Sequence, residues 1–96
     1  MSNVQEQLQT LLIEDMREAI KNHEEYDLVQ IGSIDLLETA LVGTGYFLDT
    51  EEMETNGWEQ DWWANIVDEN TREVVAEANG SMYYGNVAFK FVDDEK

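Results

Sequence analysis

The chain has 96 residues, enough for one modest hydrophobic core and not for two, so a single domain is expected. Asp and Glu number 22 against 5 Lys and Arg, a formal net charge of −17, which argues against direct binding to DNA, RNA or an anionic membrane surface. With 43% hydrophobic residues, three Trp, four Tyr and three Phe, the acidity is not that of a disordered tail, and the lack of cysteine excludes disulfides and thiol chemistry.

The chain opens without a basic region or an apolar stretch over residues 1–9, so a signal peptide is not expected. Its longest strictly apolar run is Leu11-Leu12-Ile13, far short of a membrane span. A soluble, cytoplasmic protein is the expectation. Val4, Leu8, Leu11, Leu12, Met16, Ala19 and Ile20 recur at three- and four-residue spacings, which predicts a helix over about residues 3–22. Ser2 or Asn3 suits its start, with Glu6 three residues after Asn3 as in a capping box. Arg17 and Lys21 fall towards its far end, where cations suit the helix dipole.

Residues 33–43 allow two readings. Ser33 as a cap and Gly43 as a stop frame a short helix, whereas Thr39, Leu41, Gly43, Gly45 and Phe47 alternate as in a strand with glycines at bulges. The helix is favoured, with a strand following over about residues 44–48. Further on, Trp62, Ala64 and Ile66 alternate with Trp63, Asn65 and Val67 as one strand. Asp68-Glu69-Asn70-Thr71 reads as a turn, and Val74, Val75 and Ala76 as the next strand. Asn79-Gly80 is a strong two-residue hairpin signal, leading into a strand over about residues 82–92 with Gly85-Asn86 as a bulge. The predicted fold is α+β: an N-terminal helix packed on an antiparallel meander of three to four strands, with a short second helix.

Charge distribution carries the functional reading. Between Lys21 and Arg72 there is no Lys or Arg, while thirteen carboxylates fall in that interval. The densest part holds Asp49, Glu51, Glu52, Glu54, Glu59 and Asp61, with Asp68 and Glu69 just beyond it. Such crowding costs stability through self-repulsion, and ordinary surfaces intersperse both signs. Carboxylates two apart on a strand stand roughly 6.5 Å from each other. Duplex DNA carries one charge per about 3.4 Å on each strand, so a folded acidic surface approaches nucleic-acid charge density. The bland alternative is a solvated face that only keeps the domain soluble.

Other chemistry is thin. Residues 52–57 resemble the first half of a calcium loop, with Gly57 at the sixth position, but the twelfth, where a bidentate Glu is needed, is Trp63. No metal or cofactor is therefore expected. The single histidine, His23, follows the first helix and suits a helix end better than a general base. With no phosphate loop or nucleophile elbow, no catalytic residues are assigned and an enzyme is not expected. Asn79-Gly80-Ser81 matches a glycosylation sequon and is read only as a turn. Trp62 and Trp63 are expected in the core, while Trp58 suits an interface anchor inside a charged rim.

In composition and size the chain resembles small acidic proteins, many from phages, that mimic DNA or cap a basic groove on host defence enzymes. That resemblance implies a stoichiometric inhibitor occupying the nucleic-acid groove of a restriction, CRISPR or similar enzyme. The expected partner surface is Asp49, Glu51, Glu52, Glu54, Trp58, Glu59, Asp61, Asp68 and Glu69. The alternative is an acidic immunity- or antitoxin-like module that binds a basic partner away from any nucleic-acid site. Homodimerisation is left open.

Overall fold

In a computed structural model, which describes residues 4–29, 32–58 and 60–92, the leading periodicity forms helix α1, Val4–Asn22. Leu12, Met16, Ala19 and Ile20 are its buried stripe, at the spacing of one helix face. Leu8 and Leu11 continue the pattern but stay exposed; Leu11 lies about a quarter-turn round the helix from the buried Leu12. The expected caps Ser2 and Asn3 lie outside the described residues. At the other end the Glu24 N–H donates to the Ala19 carbonyl at 2.8 Å and the His23 N–H to the Ile20 carbonyl at 3.2 Å. These are the paired bonds of a Schellman cap, with His23 at φ 57° where glycine is usual. Its ring stacks on Phe91 at 4.4 Å, and Nε2 lies 3.2 Å from the Tyr46 hydroxyl, which holds the turn in place. His23 is thus a helix-end residue.

Residues 33–43 resolve as helix α2, Ile34–Leu41. The Ser33 hydroxyl accepts from the Leu36 N–H at 3.2 Å, satisfying one of the free donors of the first turn. The last turn of α2 has no basic residue of its own. Arg17 serves instead, donating from Nε to the Ala40 carbonyl at 3.1 Å and from Nη2 to the Thr39 carbonyl at 3.0 Å. The sequence suggests that Arg17 supports the end of α1, but more than a turn of helix separates it from that end. Its guanidinium neutralises the carbonyl end of the neighbouring helix, tying α1 to α2.

Five strands follow: β1 Tyr26–Leu28, β2 Tyr46–Asn56, β3 Asp61–Asp68, β4 Val74–Ser81 and β5 Asn86–Phe91. They form one antiparallel sheet in the order β1-β5-β4-β3-β2. Thus β2 to β5 make a meander, and β1 adds to its outer edge through Tyr26 opposite Phe89. The α+β fold with a helix packed on a meander is as expected. The fifth strand, beyond the three to four expected, is β1, whose three residues are too few to display an alternation in the sequence.

Two local expectations are corrected. Asn79-Gly80 lies inside β4, not in a turn. A Cβ on Gly80 would collide with the Asn86 carbonyl oxygen and stand 3.0 Å from Trp62 Nε1. Glycine is required there by close approach of the neighbouring strand and a core tryptophan, not by positive φ. The hairpin turn falls at residues 82–85, closed by the Gly85 N–H on the Ser81 carbonyl at 2.9 Å, with Gly85 at φ 73°. Gly85-Asn86 therefore ends a turn and starts β5, and is not a bulge. The large irregularity lies on β2, where Asp49 opposes Asn65 and Glu54 opposes Trp63, so that residues 50–53 face only one residue of β3.

Alternation gives the sheet two unlike faces. Leu48, Trp62, Ala64, Ile66, Ala76, Ala78, Val87 and Phe89 join the buried helix residues in one core. The opposite face has no element over it among the described residues. Cross-strand register runs Asp27, Ala88, Asn79, Trp63, Glu54 along one row and Lys90, Glu77, Asn65, Asp49 along the next.

Candidate partner-binding surface

Trp62 and Trp63 are neighbours in a strand and so point to opposite faces. Trp62 is buried beneath the helices, as expected. Trp63, also expected in the core, is 45% exposed, because both helices cover the same side of the sheet. It stands on the uncovered face, one strand in from the edge strand β2. Two depressions meet at Trp63 and Asn79, one of about 370 Å³ reaching Glu52, Glu54 and Glu77, the other of about 430 Å³ reaching Asp27 and Asp61. Among the described residues Lys90 is the basic residue of this face, and it lies directly across from Glu77 in the register.

The acidic residues expected to bind a partner divide into two groups. Glu51, Glu52 and Glu54 are exposed on β2, an edge strand, and Asp49 is half-buried at the start of its irregular stretch. There the Asp49 carboxylate accepts from the Glu52 N–H at 3.3 Å, shaping the bulge that pushes these acids outward. An edge blunted by a bulge and by charge resists pairing with another strand, so its acids are presented as side chains to solvent. Asp61 begins β3 beside this group. Glu59 lies outside the described residues.

Asp68 and Glu69 stand at the other end of β3, roughly 23 Å from Asp61 and about 10 Å from the Asp49 level of β2 at the usual strand rise. The Asp68 carboxylate accepts from the Asn70 N–H at 2.7 Å and the Thr71 N–H at 3.0 Å, so it is engaged in closing the β3–β4 turn. Arg72, next in that turn, lies 5.6 Å over the Phe47 ring and brings positive charge to this end. The structure therefore does not join Asp68 and Glu69 to Glu54 and Asp61 at the far end of the sheet in one patch.

Trp58, expected as an exposed anchor, is 70% exposed in the β2–β3 loop. It is not isolated. The Met82 N–H donates to the Gln60 carbonyl at 3.1 Å, binding the two hairpin tips side by side. Trp58 then meets Tyr83 edge-to-face at 5.1 Å, and Tyr83 meets Tyr84 at 5.0 Å. With Met82 these make an exposed aromatic tip next to Asp61, the amphipathic kind of surface enriched at interface centres. Sequence reasoning missed Met82, Tyr83 and Tyr84. The available signal was an apolar Met-Tyr-Tyr run placed in a turn, which strand assignment concealed.

Among the described residues no helix is long and apolar enough to cross a membrane. No protein family, curated protein or solved structure matches the chain.

Proposed function

We propose that the protein is a cytoplasmic acidic inhibitor that occupies the basic nucleic-acid-binding groove of a partner, of the kind found on phage-defence enzymes. The observation that supports this reading is the projection of Glu51, Glu52 and Glu54 from the bulged edge strand next to an uncovered acidic sheet face. Binding releases the ions held by both surfaces, and its field draws a basic groove at long range. The role is binding, with no covalent step. Expression of the protein in a host carrying a DNA-targeting defence system, followed by capture of what it binds, supplies the partner. Competition with labelled DNA or RNA then decides: mutual exclusion is expected, and a stable ternary complex contradicts the reading.

The aromatic tip of Trp58, Tyr83 and Tyr84 favours one other reading, an immunity- or antitoxin-like module. Such a module would dock through the tip, as in ordinary protein interfaces, and leave any nucleic-acid site of its basic partner open. The ternary complex that contradicts the first reading is the result this one expects.

A further inference from the structure

The uncovered face offers more than charge. An indole face attracts a cation lying within about 6 Å of its centre, and a planar guanidinium stacks there better than an ammonium. Trp63 presents such a surface where the two depressions of the open sheet meet, one strand in from the β2 edge. Glu54 is its register partner on β2, one strand spacing of about 4.8 Å away. Asp61 and Asn65 lie two residues to either side on β3 and so point to the same face. Lys90, the cation already on this face, is not in the Trp63 row but in the next, opposite Glu77. Its position leaves the indole to an incoming group.

We infer that this sheet face is the docking site for an arginine-bearing extended segment of the basic partner, with one guanidinium stacked on Trp63 and hydrogen-bonded to Glu54. Charge complementarity selects the occupant: the depressions around Trp63 are bordered by Asp27, Glu52, Glu54, Asp61 and Glu77. An apolar segment would strand those carboxylates without solvent, and an acidic one would be repelled. A lysine would satisfy the carboxylates as a point charge, yet would lose the planar stacking and the two-pronged bond that guanidinium makes. The inference rests on reading the protein as the binder of a basic partner, and adds which side chain is read and where.

The test uses two blocked peptides, one of alternating Gly and Arg and one of alternating Gly and Lys, titrated into the whole protein at low salt. Affinity is followed by calorimetry, and the indole N–H resonances by nuclear magnetic resonance. The arginine peptide should bind about three- to tenfold more tightly, with the Trp63 indole moving most. Trp63→Leu should bring the arginine peptide to the lysine level, and Trp63→Phe, which keeps a ring of weaker field and strand-compatible shape, should fall between. Equal affinities that Trp63→Phe and Trp63→Leu leave unchanged would overturn the arginine site and leave the acidic-inhibitor reading standing. Failure of both peptides to bind would overturn the two together.

Discussion

Replacing Gly80 by alanine tests whether its value lies in close approach, as the β4 position requires. The added Cβ would stand 2.9 Å from the Asn86 carbonyl carbon and 3.0 Å from Trp62 Nε1, besides colliding with the Asn86 oxygen. Carbon atoms in ordinary contact lie about 3.5–4.0 Å apart, so β5 must retreat by at least about 0.6–1.1 Å. A retreat of that size carries ladder bonds near 2.9 Å past the useful limit of about 3.2 Å. Losing two of them costs about 2 kcal/mol, and repacking Trp62 adds about 1–2 kcal/mol. A total near 3–4 kcal/mol is a large share of the roughly 5–14 kcal/mol expected for a chain of this length. Urea unfolding followed by tryptophan emission should report it, together with a melting temperature lower by about 12 °C or more. Gly85→Ala, at a turn position with φ 73°, should cost only the left-handed backbone penalty of about 1–2 kcal/mol. If Gly80→Ala proves the milder of the two, Asn79-Gly80 does not carry the close strand approach described above.

Three further outcomes follow from the same packing. Arg17→Met removes both guanidinium bonds to the end of α2, one of them exposed, and should cost about 1–2 kcal/mol in urea titration, while Lys21→Met changes stability by less than about 0.5 kcal/mol. Burial, with the Asp15 charge behind it, raises the Tyr26 phenol above its ordinary value of 10.0; the unfolded chain therefore ionises first, and the stability Tyr26 contributes is complete below pH 10 and lost as pH rises through the raised value. Denaturation across pH 8 to 12 should show that loss in the wild type and a smaller one in Tyr26→Phe; equal losses would contradict it. Because the net charge is −17, raising NaCl from about 10 to 500 mM at pH 7 should raise the melting temperature by screening, and a fall would contradict the self-repulsion reasoning.

What the sequence discloses is what neighbouring residues decide among themselves. Ser33 with Leu36 frames α2 by a local hydrogen bond, and the alternation of residues 62–67 defines β3. Asn79-Gly80 misleads because the same dipeptide suits a tight turn and a strand crowded by a neighbour; Trp62 and Asn86, which choose between them, come from other strands. Trp63 is misplaced for a related reason. Alternation shows that it opposes Trp62, but only the packing of α1 on α2 over one face shows that no described element covers its own face. In the candidate site, Glu51, Glu52, Glu54 and Trp58 were chosen from charge density and an aromatic set within it, and the structure leaves all four exposed. Tyr83 was not legible, because its meeting with Trp58 depends on two hairpin tips lying side by side. Asp68 was chosen by its charge, although its place at the head of a turn is the local reason its carboxylate is engaged by the Asn70 and Thr71 amides.

The central claim is that binding is carried by acids at one place, and not by the overall charge of the chain. Its most direct measurement is the dissociation constant of the captured partner for two charge-reversed proteins. One carries Lys in place of Glu51, Glu52 and Glu54 on the bulged edge strand, which changes the net charge by the same six units as the other. The other carries Lys in place of Glu6, Glu14 and Glu18 on α1, where Arg17 and Lys21 lie close in sequence and partly offset the field. Circular dichroism should show both folded, since neither set includes a residue of the buried core. The first set should abolish binding, because contacts desolvated in a complex cost about 2–5 kcal/mol each when one partner is lost, whereas the second should only slow association modestly. Equal weakening by the two sets would mean that net charge alone matters, and loss confined to the α1 set would place the binding face on the helix.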